Sequence, residues 1–244
     1  MTIRVLVNGA FGRMGQLVTK AVAAHPNLEL TGQTGREYNL KQAIEDSKAD
    51  VVVDFTHPDT VYQNTKIILD AGARPVIGTT GFQPEQIKAL QKHAADTKLG
   101  GIIAPNFSMG AVLVMKSARE IAKYIPNMEI IEMHHEAKVD SPSGTAMRAA
   151  EMMAEGAAKP NALARESRET IPGARGASLL NIPIHSVRLP GMLAHLEILF
   201  GNSGETITLR HDSIDRQCYM PGVCLACEKV MELDRLVYGL EEIL

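Results

Sequence analysis

The chain has 244 residues, of which 45% are hydrophobic, and its formal net charge is −3. This length suits one large domain or two small ones, and the apolar content is sufficient for a proper core. The small net charge argues against the bulk attraction that draws proteins to nucleic acid or anionic membranes. No apolar run reaches the roughly 18 residues of a membrane-spanning helix. The N-terminal apolar run is too short for a signal peptide and the three cysteines are an odd number, so we expect a cytoplasmic protein.

The first element is an apolar run over residues 3–8 that predicts a β-strand. The glycine sequence G-x-x-G-x-x-G follows, from Gly9 to Gly15, and a helical stretch covers residues 16–24. Strand, glycine turn and helix form the context of a dinucleotide-binding fingerprint, although the usual spacing is G-x-G-x-x-G. Glycines let the backbone approach a pyrophosphate, and the helix start presents N–H groups to it. A strand-to-helix turn without a ligand is the alternative interpretation.

The second predicted strand, residues 28–31, leads into Gly32-Gln33-Thr34-Gly35-Arg36. Many NAD sites carry an acidic residue here that binds the ribose hydroxyls, and none occurs before Glu37. Arg36 and Arg13 would instead favour a 2′-phosphate, so the sequence favours NADPH. The alternative is that both arginines are simply solvated.

The next seventy residues continue to alternate between helices and strands. Helices are predicted over residues 40–47, 58–71 and 84–96, and strands over residues 50–55, 74–77 and 100–104. This alternation of strands and helices predicts a Rossmann-like, doubly wound parallel sheet in an α/β domain. Ligands of such sheets bind beyond the carboxyl ends of the strands. Together with the glycine turn, the segments at those ends outline one crevice, although each alone would pass for an ordinary turn: Phe55-Thr56, Gly78-Thr79-Thr80-Gly81 and Pro105-Asn106-Phe107.

The second half has a different order of elements. A long helix (residues 109–124), a strand (128–135) and a second helix (146–158) precede a surface loop at 159–177. Strands at 182–188, 194–200 and 206–211 then follow one another, and a last helix runs from Pro221 to Leu233. Consecutive strands predict a mixed or antiparallel sheet, so we place a domain boundary near Asn106.

A polar stretch from Glu132 to Thr145 follows the strand at 128–135. It contains two imidazoles, an ammonium group and several hydroxyls, a density that is costly at the end of an apolar run unless it has a function. A hydrogen-bonded structural role is the alternative for each histidine. We expect no metal site, because H-E-x-x-H is absent and no Cys/His cluster with ligand spacing lies nearby. Cys224 and Cys227 are interpreted as buried residues one helical turn apart rather than as a redox pair.

Four segments together resemble the dihydrodipicolinate reductases, the nicotinamide-dependent reductases of the diaminopimelate and lysine pathway. The segments are Gly9 to Gly15, Gly78 to Phe82, Ala104 to Ser108, and Glu132 to Thr145. The likeness runs from end to end, and the segment from His134-His135 to Ser143-Gly144-Thr145 is its most specific part. It implies a discontinuous dinucleotide-binding domain (residues 1–106 and 213–244) and a smaller α+β domain with a mixed sheet (107–212). The smaller domain would bind a small dicarboxylate substrate and build a homotetramer.

The resemblance also implies roles for individual residues. His134 is the expected acid or base, and Lys138 is the expected proton donor. The expected substrate-binding residues are His135, Lys138, Ser143, Gly144, Thr145 and Thr80. The resemblance and the earlier analysis of the strand ends, which supplies Arg36 and Phe55, together give the expected cofactor-binding residues: Gly9, Ala10, Phe11, Gly12, Arg13, Met14, Arg36, Phe55, Gly78, Thr79, Thr80, Pro105, Asn106 and Phe107.

The family chemistry explains why these residue types are needed. The substrate is a cyclic imine with two carboxylates, and hydride addition drives negative charge towards its nitrogen, where a cation or proton donor lowers the barrier. Imidazole exchanges protons near neutral pH. Longer members carry an acidic residue after the second strand, whereas Gln33 and Arg36 occupy that region here, so NADH and NADPH both stay open. Two other functions remain possible: a nicotinamide-binding sensor without catalysis, and a reductase acting on an aldehyde or keto acid.

Overall fold

The computed structural model describes residues 2–161 and 168–244 of the chain. The chain divides into two compact units. Unit 1 contains Met1–Met109 and Arg216–Leu244, and unit 2 contains Gly110–Asp215. The boundaries predicted from the sequence, after residue 106 and before residue 213, lie within a few residues of these.

The N-terminal part of unit 1 alternates strands and helices, as predicted. The strands are β1 (Ile3–Asn8), β2 (Leu28–Thr34), β3 (Val51–Asp54), β4 (Arg74–Ile77) and β5 (Gly101–Ile103). The helices between them are α1 (Arg13–Ala24), α2 (Leu40–Ser47), α3 (Pro58–Asp70) and α4 (Pro84–Thr97). The side chain of Asn39 caps α2 by accepting a hydrogen bond from the Gln42 backbone at 3.2 Å.

Unit 2 contains the helices and strands of the second half. These are α5 (Met109–Ala122, which starts at the unit boundary), β6 (Met128–His134), α6 (Gly144–Gly156), β7 (Ala177–Leu179), β8 (Ile182–Arg188), β9 (Ala194–Asn202) and β10 (Glu205–Ser213). Strand β7 begins at the last residue of the stretch predicted as a loop. Six residues of that predicted loop, 162–167, lie outside the described part of the chain.

The chain then returns to unit 1 through a 3-10 turn, helix α7 (Met220–Lys229) and strand β11 (Leu236–Tyr238). Helix α7 packs against α1, so the C-terminal helix lies in the same unit as the N-terminal strands. The helix ends four residues before the predicted Leu233, and β11 was not predicted.

The sheet of unit 1 has the order β11-β5-β4-β3-β1-β2, with all of its pairs parallel. Strands β1, β3 and β4 are buried through their centres, with Val5, Val52 and Val76 all at 0% exposure. Continuous apolar strands are typical of parallel sheets that are covered on both faces. The predicted doubly wound α/β sheet is therefore confirmed.

The sheet of unit 2 is mixed, as predicted, with the order β10-β9-β6-β8-β7. Strands β6 and β8 are parallel, and the other pairs are antiparallel. Helix α6 packs against β6, β7 and β8, and alternate residues such as Ile130, Ile184 and Ile198 are buried. The intervening residues form a second face that is half-buried or exposed, and we name it the open face: Glu129, Ile131, Met133, His185, Val187, His195, Glu197, Leu199, Arg210 and Asp212.

None of the helices in residues 2–161 and 168–244 combines the length and the hydropathy that a membrane-crossing helix needs.

The first turn of α1 allows no side chain at Gly15. A Cβ atom there would lie 2.0 Å from the carbonyl oxygen of Gly9. Gly15→Ala should therefore lower the free energy of unfolding by about 1–3 kcal/mol, although alanine is the better helix former. The midpoint of urea unfolding measures this. Gly144→Ala is the matched control, because Gly144 opens α6 and a Cβ there meets nothing within 4 Å. Equal stability of the two variants would contradict the steric account.

Candidate active site

The β1–α1 turn and the first turn of α1 contain two positions, Gly9 and Gly15, where only glycine fits. Gly9 has a φ of +80°, and a Cβ on it would lie 2.3 Å from the carbonyl oxygen of Phe55. Gly12 is the N-cap residue of α1 and adds no side-chain cap, and the first helical turn begins with Arg13 and contains no acidic residue. A helix start of this kind attracts anions through its N–H groups and its dipole. The turn therefore fits the pyrophosphate of a dinucleotide, and the predicted cofactor residues Gly9, Ala10, Phe11, Gly12, Arg13 and Met14 all lie in it.

Two aromatic side chains lie in contact after the ends of β3 and β5. The rings of Phe55 and Phe107 lie with their centroids 5.9 Å apart at an interplanar angle of 51°. The Phe55 ring packs against Gly78, and a Cβ at Gly78 would clash with the ring at 2.2 Å. The structure thus brings together three of the predicted cofactor residues from three strand ends. Pro105 and Asn106 precede Phe107 in the same segment, and the Asn106 side chain accepts a hydrogen bond from the Ser108 backbone at 2.7 Å.

A buried carboxylate that sequence reasoning missed holds these strand ends together. Asp54, the last residue of β3, is 0% exposed. Its oxygens accept hydrogen bonds from Asn8 at 2.7 Å, Thr79 at 2.9 Å and Asn64 at 3.0 Å. Thr56 adds its hydroxyl at 2.7 Å and its backbone N–H at 3.1 Å. The signal in the sequence was an aspartate at the end of an otherwise apolar run.

The segment after β2 carries the predicted cofactor-specificity residue Arg36, whose side chain is exposed. The last residue of β2 is Thr34, which is buried and donates a hydrogen bond to the Asn8 side chain at 2.9 Å. The rings of Phe11 and Tyr38 lie 6.0 Å apart. The end of β2 thus offers a hydroxyl that is already bonded where many NAD sites offer a carboxylate.

In unit 2, a second buried carboxylate lies beside the predicted catalytic histidine. Glu132 is 0% exposed, and its Oε2 lies 2.5 Å from Nδ1 of His134. The two terminal nitrogens of the Arg188 guanidinium each donate a hydrogen bond to one carboxylate oxygen of Glu132, at 2.9 and 2.8 Å. Burial acts to raise the pKa of Glu132, but hydrogen bonds from His134, Arg188 and Ser186 outweigh it and lower the pKa to about 2. Glu132 is therefore a carboxylate at neutral pH.

Glu132 also anchors the start of α6. Its Oε1 accepts a hydrogen bond from the Ser143 backbone at 3.2 Å. Ser143 caps the helix by accepting a hydrogen bond from the Ala146 backbone at 3.2 Å, and Pro142 precedes the cap. The first turn of α6, which opens with Gly144 and Thr145, contains no acidic residue. This helix start can receive a carboxylate for the same electrostatic reason as α1.

Lys138 lies in the segment between β6 and α6. Its Nζ donates to Oδ1 of Asp140 at 2.6 Å, and about a fifth of its side chain is exposed. Burial acts to raise the pKa of Asp140, but the hydrogen bond and charge of Lys138, a backbone hydrogen bond and the charge of Arg188 together outweigh it, so the pKa is lowered. Arg188 in turn donates to the backbone oxygen of Asp140 at 2.7 Å. The segment with Lys138 is thereby tied to the cluster that contains His134.

The remaining predicted substrate residues are His135 and Thr80. His135 follows the last residue of β6, and its backbone oxygen accepts a hydrogen bond from the Lys138 N–H at 3.1 Å. Thr80 belongs to unit 1, where it is exposed next to the buried Thr79.

Glu132 and Arg188 were not predicted as site residues. For Glu132 a signal was present, because it occupies an inward position in the alternating strand Met128, Ile130, Glu132. Arg188 gave no signal, since its proximity to His134 comes from the pairing of β6 with β8.

The cysteines agree with their interpretation as structural residues. Cys224 and Cys227 are buried and not in disulfides. Burial raises the pKa of the Cys224 thiol to about 11, and it raises that of Cys227 well above its usual value. In the ranges 2–161 and 168–244, no group of three or more His, Cys, Asp or Glu residues is arranged to hold a metal ion.

Comparisons with known proteins find relatives along the whole chain. Residues 3–107 match the family model for the N-terminus of dihydrodipicolinate reductase, and residues 110–244 match the model for its C-terminus. The chain is 52% identical to the 4-hydroxy-tetrahydrodipicolinate reductases of Coxiella burnetii (strain RSA 493 / Nine Mile phase I) and Legionella pneumophila (strain Lens), with 100% of both chains covered in each case. It also resembles the solved structure of a dipicolinate-bound dihydrodipicolinate reductase from Paenisporosarcina sp. TG-14, with a TM-score of 0.89 and 45% identity over 100% of both chains. With both halves matched by family models and relatives aligned over their whole length, the chain belongs to the dihydrodipicolinate reductase family.

Proposed function

We propose that this chain is a nicotinamide-dependent oxidoreductase that reduces 4-hydroxy-tetrahydrodipicolinate to tetrahydrodipicolinate in the biosynthesis of diaminopimelate and lysine. The observation that carries the proposal is that one carboxylate, that of Glu132, holds both the imidazole of His134 and the start of α6. A proton-exchanging group and an anion-binding helix start are thereby fixed in one cluster. The full-length relatives named 4-hydroxy-tetrahydrodipicolinate reductase support the same activity. A cytoplasmic location stays a prediction from the sequence.

The substrate would be held mainly through its two carboxylates. The start of α6, with Ser143, Gly144 and Thr145, would receive one of them through the helix dipole and its polar groups. His135 and Lys138 would supply hydrogen bonds or positive charge nearby. That the related Paenisporosarcina protein was solved with dipicolinate, a planar dicarboxylate, supports this class of ligand.

The glycine turn of unit 1 fits the pyrophosphate of a nicotinamide dinucleotide, since the close approaches at Gly9 and Gly15 exclude every side chain. Phe55, Gly78 and Phe107 would line the nicotinamide end of the crevice. When bound, the reduced nicotinamide supplies a hydride to a ring carbon conjugated with the C=N bond.

The residues of unit 2 would manage the proton. As negative charge develops towards the ring nitrogen, the ammonium group of Lys138 stabilises it and donates a proton. His134 exchanges a proton with the ring. Over the whole reaction the substrate gains one hydride and one proton, and its 4-hydroxyl group leaves as water with a ring proton.

Substitution of the two catalytic candidates tests these roles. We expect His134→Ala to lower kcat by about two to four orders of magnitude with an unchanged Kd for the cofactor, because a general acid or base contributes about that much. Lys138→Ala should lower kcat and also raise KM for the imine. Lys123→Ala is the matched control, since Lys123 pairs with Glu120 on the surface of α5. A near wild-type kcat in His134→Ala would remove His134 from the mechanism.

The activity itself is tested by following oxidation of the reduced cofactor at its absorbance band, with and without the cyclic imine. Turnover only with the imine, and inhibition by a pyridine dicarboxylate, support the proposal. Cofactor binding without turnover would favour a nicotinamide-binding sensor. Turnover with an aldehyde or keto acid, insensitive to the dicarboxylate, would favour a different reductase.

For the choice of cofactor we propose NADPH. Arg36 is exposed after β2, Arg13 starts α1, and the residue that ends β2 is the buried Thr34 and not a carboxylate. Arginine is well suited to a phosphate because its planar fork can donate two hydrogen bonds to it.

We therefore expect Arg36→Ala to lower kcat/KM for NADPH about tenfold, the loss of one charged hydrogen bond, with little change for NADH. Separate titrations with NADPH and NADH measure the ratio. Arg235→Ala serves as the control, because this side chain is exposed elsewhere in unit 1. An equal effect on both cofactors would argue against contact with a 2′-phosphate.

For the oligomeric state we propose a homotetramer built through the open face of unit 2. This face places the half-buried side chains of Ile131, Met133, Val187 and Leu199 among ion pairs such as Arg210 with Glu197 at 2.7 Å. Apolar residues surrounded by polar ones are typical of protein interfaces.

Leu199→Asp should convert the tetramer into smaller species, because it places a charge in the apolar part of the face. Light scattering after size exclusion gives the mass. Leu113→Asp is the control, since Leu113 is 55% exposed on α5. A wild-type protein that is monomeric, or a tetramer that survives Leu199→Asp, would refute the proposed interface.

A further inference from the structure

We propose that Glu132 and Arg188 are positioning residues that fix His134 as the tautomer with its proton on Nδ1, so that Nε2 is the nitrogen that exchanges protons with the substrate. This inference rests on the proposed function for its kinetic consequence. Its structural part, the tautomer, is independent of any activity.

The tautomer follows from the state of the carboxylate. Glu132 is fully buried, with a pKa of about 2, and an ionised carboxylate can only accept hydrogen bonds. Nδ1 of His134 lies 2.5 Å from Oε2, which is a hydrogen-bonding distance, so Nδ1 must be the donor. In a neutral imidazole one nitrogen carries the proton and the other accepts. Nε2 is therefore the nitrogen that accepts a proton, and it is the one that gives it back.

Arg188 makes this arrangement possible. An unpaired carboxylate in a protein interior is strongly destabilising, whereas a guanidinium fork meets both of its oxygens at once. Arg188 donates to Oε2 of Glu132 at 2.9 Å and to Oε1 at 2.8 Å, so Oε2 accepts hydrogen bonds from both Arg188 and His134. Arg188 is itself fixed, because it also donates to the backbone oxygens of Val187 and Asp140, each at 2.7 Å.

The strand pairing holds the imidazole and the guanidinium in register. His134 ends β6 opposite Arg188, which ends β8. The backbone N–H of Leu189 donates to the backbone oxygen of His134 at 3.0 Å. The backbone of His134 is thus fixed by the sheet, and the ring is fixed by Glu132. A histidine whose backbone and ring are both fixed is preorganised for proton transfer, because it need not reorient during the reaction.

Among the described residues, the ring of His134 is hydrogen-bonded to the charged side chain of Glu132, which Arg188 also contacts. Arg188 links this cluster to the following segment, which contains Lys138 and Asp140. Because the Glu132 carboxylate makes Nδ1 the donor, removal of its charge should free the tautomer.

The experiment compares Glu132→Gln and Arg188→Lys with the wild-type full chain. Glu132→Gln keeps the shape of the side chain and removes its charge, and Arg188→Lys keeps a charge and removes the fork. Glu155→Gln is the matched control, because Glu155 also pairs with two arginines in unit 2, Arg119 and Arg148, each at 3.7 Å, but lies on the surface of α6. The urea midpoint and the cofactor Kd show whether each variant is folded.

The kinetic readout is kcat and KM for the imine. We expect Glu132→Gln to lower kcat about 10- to 100-fold with an unchanged cofactor Kd, because the imidazole is no longer held in its productive orientation. Arg188→Lys should give a smaller loss of about three- to tenfold, and it provides the test if Glu132→Gln does not fold. Folded variants with wild-type kcat would overturn the inference.

The second readout is the ¹⁵N spectrum of the His134 ring, assigned by its loss in His134→Gln. We expect a protonated Nδ1 in the wild type and a mixture of tautomers in Glu132→Gln, with no change in Glu155→Gln. A proton on Nε2 in the neutral wild-type ring would overturn the inference. This readout needs no substrate, so an enzyme that fails to reduce the imine would refute the proposed function without deciding the role of Glu132.

Discussion

A carboxylate buried at the end of a strand must have its oxygens satisfied by hydrogen bonds, and this requirement organises both units. In unit 1 the carboxylate is that of Asp54, which is 0% exposed at the end of β3. Its partners come from the ends of β1 and β4, from α3 and from the turn after β3. Because a buried oxygen without a donor costs free energy, these chain segments must converge on one point. The cofactor crevice is shaped around that point, since Phe55 follows Asp54 directly.

The same requirement is met differently in the two units. The donors to Asp54 are amide, hydroxyl and backbone N–H groups, all of them uncharged. The donors to Glu132 include the guanidinium of Arg188 and the imidazole of His134. Neutral donors make a rigid support, whereas an imidazole partner can change its protonation state. The chemistry of the two clusters therefore matches a binding role in unit 1 and a proton-transfer role in unit 2.

Much of the fold was predictable because it depends on local signals. Apolar runs bounded by glycines and prolines marked β1 to β5, and the shift from alternating elements to consecutive strands marked the second unit. The strands that the sequence did not reveal, β7 and β11, have three residues each. Strand β7 is defined by its hairpin with β8, and β11 by its pairing with the distant β5, such as Leu236 with Gly101. Helix α1 starts at Arg13, three residues before the predicted start, because Gly12 serves as its cap.

The candidate site likewise contains residues that the sequence revealed and residues that it did not reveal. Motif residues such as Gly9, Gly78, His134 and Ser143 could be named from the sequence, since they lie in the segments that resemble the family. The residues that hold these side chains in place could not be identified from the sequence. Arg188 reaches Glu132 across 56 positions of sequence, and only the register of β6 on β8 brings the two together. A second buried acid, Asp54, was visible as a residue but not as the meeting point of several strands.

The burial of the α7 thiols has a practical consequence for spectroscopy. Cys224 and Cys227 are shielded and hold their protons at neutral pH, whereas Cys218 is partly exposed. Maleimide dyes react with thiolates that they can reach. A fluorophore added to the native protein would thus attach at Cys218, two residues after the chain re-enters unit 1 at Arg216, without the removal of any cysteine.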